Sequence, residues 1–299
     1  MTKYRLGADL GGTKLALALV NAAGELVCVE QVPTEKENAE ALFQFLVREI
    51  RSFLKKHEVE LADLTGLGLG LPGKVDREAG IAVFQMMIPW PNFPIVRRLQ
   101  AEFPGLPLAI DNDVAVAVRA EFADSGLKPE DIFSYLTLST GMSVQTMWQG
   151  KILRGEGFAG EAALVPAYFD SERPLIQDLT SGNGIAERGQ KVFQDESLTT
   201  ADIFEKATAG NEQAQELIEE GALALAFSVY QIFAFYDPTL LVLGGSLAQK
   251  QPAYIEKMKG HLKKLLYPGQ ETALERIKIS ALGSENGVLG AALLHEVKN

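Results

Sequence analysis

A short loop between two apolar segments carries residues suited to binding phosphate. The segments YRLGADL and KLALALV flank Gly11, Gly12 and Thr13, with Asp9 before the turn and Lys14 after it. The glycines let the backbone approach phosphate oxygens, and the loop amides and the Thr13 hydroxyl can donate hydrogen bonds to them. Lys14 adds positive charge, and Asp9 is placed to orient a hydrated Mg²⁺. An ordinary hairpin turn, with Asp9 as a turn residue, is the alternative interpretation.

A second polar group, Asp111-Asn112-Asp113, directly precedes a segment with helical periodicity, VAVAVRAE. The Asp113 carboxylate is a candidate general base, able to accept the proton of an attacking hydroxyl. The Asn112 carboxamide can donate and accept a hydrogen bond at once, which suits the recognition of a hydroxyl group. Asp is also a favoured helix N-cap, and Asp111 or Asn112 could fill that place instead.

Thiolate and imidazole chemistry has little support in this chain. Cys28 is the only cysteine, which excludes an intramolecular disulfide and a thiolate zinc site. The three histidines, His57, His261 and His295, lie far apart and lack the spacing of a metal-binding helix. We therefore expect no structural zinc.

Size and charge limit the classes of partner. A length of 299 residues suggests two domains, and the net charge of −11 disfavours binding to nucleic acid. The first residues lead into a strand without a signal peptide's apolar region. The longest apolar stretch, 221–236, is shorter than the roughly 20 residues that span a bilayer. We therefore expect a cytoplasmic protein with neither nucleic acid nor a membrane as partner.

The elements that must position the polar residues alternate between strands and helices. Apolar runs closed by Gly or Pro turns predict strands in TGLGLGL, PLAI and DPTLLVLGG. Periodicity predicts helices in ALFQFLVREIRSFLKK, near VRRLQAEF, in QAQELIEEGALALAFSVYQIFAFY, and an amphipathic helix in SENGVLGAALLHEVK. This mixture predicts an α/β class.

One order of elements occurs twice. Strand, glycine turn, strand, glycine turn and strand open the chain, and the order begins again near Asp131. The second copy reads IFSYLTLS, Thr140-Gly141, SVQTMW, Gln149-Gly150 and KILRG. Two copies of one supersecondary unit predict two similar lobes. A chance likeness of two hairpin meanders is the alternative.

Eight motifs in sequence order resemble those of the ROK family of sugar kinases and related repressors, in the actin/hexokinase-like superfamily. They are DLGGTK (9–14), GLGLPGKVD (68–76), IPWPNFP (88–94), DNDVAVAVRAE (111–121), LSTGMSV (138–144), GKILRGEGFAGE (150–161), DPTLLVLGGSLA (237–248) and NGVLGAALL (286–294). The resemblance covers nearly the whole chain and implies two actin-like, ribonuclease H-like lobes with a central cleft. Repressors of the family carry a winged helix before the first strand, whereas DLGGTK begins here at Asp9, so we expect a member of the kinase branch.

The resemblance also implies roles for particular residues. Asp113 would be the general base at the mouth of the cleft, with Asn112 and Glu161 binding sugar hydroxyls. Thr140-Gly141 resembles the family's second phosphate loop, and Gly244-Gly245 its adenosine-side loop. A solvated loop carboxylate for Glu161 and simple turns for the glycine pairs are the alternatives.

The sequence departs from the family's pattern at several sugar positions. Leu164 stands where zinc-containing members have a histidine, and the cysteine-rich segment after it is replaced by VPAYFDSERPLIQD. The expected sugar-binding glutamate falls at Gln177, and the asparagine before the Pro-Trp falls at Met87. Either the substrate differs from glucose, or binding is weak, or a neighbour such as Gln85 compensates. LSTGMSV also lacks the family's extra glycines, although Ser143 could still donate a hydrogen bond.

Together these features predict a sugar kinase that transfers the γ-phosphoryl group of ATP, with Mg²⁺, to a hydroxyl of a hexose or hexose derivative. A non-catalytic sugar- or nucleotide-binding sensor of the same fold is the alternative. The resemblance implies a homodimer. It also predicts a first lobe of residues 1–113, with a final helix of 287–299 packing back on it, and a second lobe of residues 114–286.

Overall fold

The structure, a computed structural model, describes residues 3–85, 87–156, 159–167 and 174–295. The chain divides into two compact units. The first unit runs to Ser125 and takes in the chain from Glu285 onward, and the second unit is Gly126–Ser284.

Strands and helices alternate along both units. The strands are β1 (Tyr4–Leu10), β2 (Lys14–Val20), β3 (Leu26–Pro33), β4 (Leu64–Leu71), β5 (Lys74–Asp76), β6 (Ile81–Phe84), β7 (Leu108–Asn112), β8 (Phe133–Leu138), β9 (Met142–Trp148), β10 (Lys151–Ile152), β11 (Leu240–Gly244) and β12 (Ile277–Ile279). The α-helices are α1 (Ala39–Lys56), α2 (Ile95–Glu102), α3 (Asp113–Asp124), α4 (Ile176–Thr180), α5 (Gly182–Phe193), α6 (Thr200–Thr208), α7 (Glu212–Tyr236), α8 (Ser246–Lys250), α9 (Pro252–Leu265) and α10 (Asn286–Ala292).

The first unit is built on a five-stranded sheet with the order β3-β2-β1-β4-β7. β1, β2 and β3 pair antiparallel, whereas β4 and β7 run parallel to β1. The register places Asp9 beside Gly70, and Gly70 beside Asp111. Because parallel strands end at the same edge, the segments that follow β1, β4 and β7 all leave the sheet there.

Two layers of helix cover this sheet. The amphipathic helix α1 buries Leu42, Phe43, Leu46 and Phe53 in a core shared with β1, β2 and β4. α10 packs against β1, β4 and α3. Its residues 287–292 are all buried, so the prediction of an amphipathic tail helix is wrong for this part, because the helix has neighbours on all sides. Residues 296–299 of the predicted helix lie outside the described residues.

The second unit repeats the plan of the first. Its sheet has the order β10-β9-β8-β11-β12, with β8, β9 and β10 antiparallel and β11 and β12 parallel to β8. The two orders correspond strand for strand, which confirms the internal repeat predicted from the glycine turns.

Helix α7 runs through the core of the second unit. By length and composition, this helix is the one described element apolar enough to cross a membrane. However, 61% of the most apolar 18-residue stretch of this helix is buried, and α7 packs against α4, α5, α6 and α9. Its burial within the unit is that of a core helix.

The expected boundary between the lobes differs from the division found in the structure. The sequence places it at Asp113/Val114, the first residues of α3, whereas the first unit extends to Ser125. The physical reason is that α3 packs against α10, β4 and β7 of the first unit.

Candidate active site

The loop between β1 and β2 is a tight turn anchored from β3. The amide of Gly11 donates to Lys14 O at 2.9 Å. Thr34 secures the loop twice, because its amide donates to Thr13 O at 3.0 Å and its hydroxyl donates to Gly11 O at 2.9 Å. The Thr13 and Lys14 side chains are exposed. The loop therefore has a fixed backbone and two polar side chains facing solvent.

Gly12 is required by packing. It is buried, and a β-carbon there would lie 2.9 Å from Met87 Cβ. The Lys36 ammonium donates to Met87 O at 3.1 Å and ties the same segment down. Gly12 thus brings the phosphate-type loop against the segment in which Met87 replaces the expected asparagine.

The Asp9 carboxylate occupies space left by two glycines. A β-carbon on Gly287, in α10, would overlap Asp9 Oδ2, and one on Gly70, in β4, would lie 3.2 Å from Asp9 Oδ1. The half-buried side chain of Asp9 therefore lies between the sheet and the start of α10. Gly70 belongs to the motif GLGLPGKVD and Gly287 to the motif NGVLGAALL, but no local pattern in the sequence indicates that these glycines face Asp9.

The start of α3 resolves which residue caps this helix. Asn112 is the N-cap, since its side-chain oxygen accepts from Val114 N at 2.9 Å and from Ala115 N at 3.4 Å. Its amide group donates to Gly73 O at 2.8 Å, so both ends of this carboxamide are hydrogen-bonded within the protein, and its contact with a sugar stays a prediction. Asp113 is the first helical residue, and its Oδ1 accepts from Val114 N at 2.9 Å. The capping role that competed with catalysis at Asp113 therefore falls to Asn112.

The two carboxyl groups of Asp9 and Asp113 influence each other. Burial, then the negative charge of Asp113, raises the pKa of Asp9 to about 7, against a lowering effect from Lys14. Burial raises the pKa of Asp113 to about 6, although hydrogen bonds from the backbone at Val114 and Asp113 and from Asn112 oppose the rise. Groups that titrate near neutral pH suit proton transfer.

The chemistry of these groups fits Mg²⁺. Asp9 and Asp113 destabilise each other as anions, and a cation beside them would remove that cost. In the described part of the chain, no cluster of three or more His, Cys, Asp or Glu side chains is arranged to hold a metal. Mg²⁺ commonly takes one or two carboxylates and completes its shell with water and substrate phosphates. Asp9 is the residue that would hold it.

The second glycine loop, Thr140-Gly141, lies between β8 and β9 of the second unit. Ser139 N donates to Gly141 O at 2.9 Å, and Asn183 N, in α5, donates to Thr140 O at 3.1 Å. Gly182 N donates to Ser139 O at 2.7 Å. A β-carbon on Gly141 would meet nothing within 4 Å, so packing does not account for this glycine.

Gly244 and Gly245 have a full explanation in packing. A β-carbon on Gly244 would lie 2.6 Å from the Tyr135 ring, and one on Gly245 would lie 2.7 Å from the Leu138 carbonyl carbon. Gly245 also has φ of 85°, in the region that favours glycine. These contacts support the turn interpretation, and the adenosine-side role stays a prediction.

The predicted sugar residues of the second unit lie at two neighbouring short helices. Glu161 is exposed and directly precedes the 3₁₀-helix Ala162–Leu164, in which Leu164 is also exposed. Gln177 is half-buried in α4, which packs against that 3₁₀-helix. Ile176 N donates to Val165 O at 2.8 Å and holds the two together. Residues 157–158 and 168–173, which belong to the motif and to the replaced segment, lie outside the described residues.

Comparisons with known proteins agree with these motifs. The profile of the ROK family matches residues 5–298. A glucokinase of Halalkalibacterium halodurans is 26% identical over 314 residues, covering 98% of this chain and 94% of the relative. An N-acetyl-D-glucosamine kinase of Aliivibrio fischeri is 29% identical over 306 residues, covering 97% of this chain and 98% of the relative.

The solved structure of a ROK hexokinase from Thermus thermophilus has a TM-score of 0.81 to this chain at 29% identity, covering 98% of this chain and 97% of that one. The likeness confirms the expected fold class, an α/β fold with two actin-like units. The match over nearly its whole length shows that the chain belongs to the ROK family.

Proposed function

We propose that this protein is a sugar kinase that transfers the γ-phosphoryl group of ATP to a hydroxyl of a hexose or hexose derivative. The observation that carries the proposal is the Asp113 carboxylate at the start of α3, which has a pKa of about 6 and whose negative charge raises the pKa of Asp9. The relatives named glucokinase and N-acetyl-D-glucosamine kinase support it.

The proposed chemistry at Asp113 is general base catalysis. The attacking sugar hydroxyl loses its proton to the Asp113 carboxylate as the bond to phosphorus forms. Asn112 supports this in two ways, because it caps α3 and its hydrogen bond lowers the pKa of Asp113. The base is therefore held in its ionised form at neutral pH.

The first glycine loop is proposed to bind phosphate. The Gly12 amide and the exposed hydroxyl of Thr13 would donate to phosphate oxygens, and Lys14 would add charge, whereas the Gly11 amide closes the turn onto Lys14 O. Asp9 would hold Mg²⁺, which when bound neutralises negative charge on the phosphates. Thr34 would position the loop through its hydrogen bonds to Gly11 O and Thr13 O.

The second unit is proposed to contribute the remaining contacts. The open surroundings of Gly141 support a second phosphate loop at Thr140-Gly141. Glu161 and Gln177 would bind sugar hydroxyls, and Gly244-Gly245 would lie on the adenosine side. We also propose a cytoplasmic homodimer with no nucleic-acid partner, from the family resemblance and the net charge of −11.

The test is ADP release with Mg·ATP across glucose, mannose, fructose, N-acetylglucosamine and N-acetylmannosamine. Turnover with one of these sugars would support the kinase and identify its substrate. Calorimetric binding of a sugar or of ATP without turnover of any of them would contradict the proposal and favour the sensor of the same fold.

A further inference from the structure

The side chain of Gln85, directly after β6, is a buried amide whose NH₂ group is hydrogen-bonded and whose oxygen, within the described part of the chain, is not. It is 9% exposed, and its Nε2 donates to Lys74 O at 3.0 Å. Its Oε1 is buried and has no hydrogen-bond donor among the residues that the structure describes. Buried amide oxygens are nearly always paired, so this one calls for an explanation.

The orientation of the amide follows from its neighbour. Lys74 O is an acceptor, so the group that faces it must be the NH₂ of Gln85. Turning the amide over would place two oxygens against each other. The unpaired atom is therefore the acceptor Oε1, and the partner it lacks is a donor such as a hydroxyl.

Oε1 lies beside the turn at Gly73. A β-carbon on Gly73 would lie 3.1 Å from Gln85 Oε1, and Gly73 has φ of 80°, which favours glycine. From the other side, Asn112 donates to Gly73 O at 2.8 Å, and Asp113 follows directly in the chain. Gln85 and Asn112 thus both donate to the backbone of this turn, at Lys74 O and Gly73 O, and the proposed base directly follows Asn112 in the chain.

We propose that Gln85 Oε1 accepts a hydrogen bond from a sugar hydroxyl and helps determine which sugar is used. This inference rests on the proposed kinase function. It explains how the chain binds its substrate although Met87 stands where the family pattern has an asparagine. The amide is supplied two residues earlier, from a side chain whose other end is anchored to Lys74 O.

The experiment measures kcat/KM of wild type and Gln85→Met for the preferred sugar of the five-sugar panel and for its monodeoxy analogues. Methionine has a similar length but lacks the amide acceptor, and its thioether sulfur accepts only weakly. We expect Gln85→Met to lower kcat/KM for the full sugar by about 10- to 100-fold, the scale of one unpaired hydrogen bond in a binding site. We also expect it to abolish discrimination against one analogue, the one lacking the hydroxyl that donates to Oε1.

Gln190→Met is the matched control, because Gln190 also donates from Nε2 to a backbone oxygen, Leu198 O at 2.8 Å, but lies in α5 of the second unit. It should leave the pattern of discrimination unchanged. Gln85→Leu, which also lacks the acceptor but differs in shape, replaces Gln85→Met if melting curves show that the latter does not fold.

A Gln85 variant with the wild-type pattern across all analogues would overturn the inference and leave the kinase intact. If wild type phosphorylates no sugar of the panel, the proposed function fails and this inference fails with it.

Discussion

At the scale of single residues, the chemistry of the first unit depends on two acidic side chains that share one region. Asp9 lies in the space left by Gly70 and Gly287, and Asp113 begins α3 behind the cap of Asn112. Burial raises both pKa values, and the charge of Asp113 further raises that of Asp9. Proton and cation binding at this pair should therefore compete.

The first prediction concerns pH and activity. Because the base must be ionised, kcat/KM should fall as the pH drops through about 6 to 7, the range in which this coupled pair takes up protons. Raising the Mg²⁺ concentration should move this acid limb to lower pH, since the cation favours the ionised form of Asp9. Initial rates between pH 5 and 9 check this, and a constant kcat/KM down to pH 5 would contradict it.

The second prediction concerns pH and stability. The pKa of Asp9 rises from 3.8 to about 7 on folding, so the folded state keeps a proton that the unfolded chain releases. The protonated Asp9 side chain therefore stabilises the folded state at low pH. This contribution to the free energy of unfolding is lost as the pH rises from about 4 to 7. Asp9→Asn cannot ionise, so without Mg²⁺ we expect it to be more stable than wild type at pH 8 by about 1–3 kcal/mol, since one pKa unit is worth about 1.4 kcal/mol.

Thermal melts at pH 4 and pH 8 measure this difference, which should shrink at the lower pH. Mg²⁺ should raise the melting temperature of wild type more than that of Asp9→Asn. Asp124→Asn, at the exposed end of α3, is the control and should behave as wild type. Equal stability of Asp9→Asn and wild type at pH 8 without Mg²⁺ would refute the prediction.

The sequence predicts the site residues only as far as their chemistry is local. Two glycines and a threonine between apolar runs predict the loop, and the polar triplet Asp111-Asn112-Asp113 before a periodic segment predicts a helix start there. Thr34, Gly70 and Gly287 contribute through strand register and the packing of α10, which no local pattern specifies. The sequence also could not tell which residue of the triplet caps α3, and the structure shows that Asn112 is the N-cap and Asp113 the first helical residue.

At the scale of elements, α10 joins the first unit through a very close contact. A β-carbon on Gly290 would overlap Val116 O of α3. Asn286, at the start of α10, donates to Glu121 of α3 at 2.8 Å. The sequence predicts this helix but not its complete burial. Residues 287–292 are small or apolar on every side of the helix, so the sequence of this part does not distinguish a buried face from an exposed one.

The third prediction compares two helical glycines. Gly290→Ala should destabilise the protein by about 1–3 kcal/mol, because neither backbone can move aside without cost. Gly260→Ala, in α9, meets nothing within 4 Å and should be neutral or stabilise by about 0.5–1 kcal/mol, as expected for alanine in an open helix. Urea denaturation of both variants measures the difference, and an equal effect of the two substitutions would argue against the close contact.

At the scale of the whole molecule, one plan is used twice. Both sheets combine three antiparallel strands with two parallel ones in the same order. The sequence predicts the antiparallel part of each copy, because glycine turns mark its hairpins. The order of the parallel strands depends on crossovers through helices, which leave no local signal. The division after α3 rather than before it has the same origin, since packing of α3 with α10 decides it.

Long-range packing also decides how α7 should be understood. Its apolar composition alone fits either a membrane helix or a core helix, and its burial against α4, α6 and α9 is what distinguishes them. The acidic net charge of −11 is likewise a property of the whole chain and bears on partners rather than on the fold.

The most direct test of the proposed kinase compares kcat/KM of wild type, Asp113→Asn and Asp124→Asn with Mg·ATP and the preferred sugar. Both substitutions remove one negative charge from α3, but only Asp113 is proposed as the base. We predict a loss of about 10²–10⁴-fold for Asp113→Asn, the usual contribution of general base catalysis, and wild-type activity for Asp124→Asn. An Asp113→Asn variant that is folded and retains wild-type kcat/KM would contradict the assignment of Asp113 as the base.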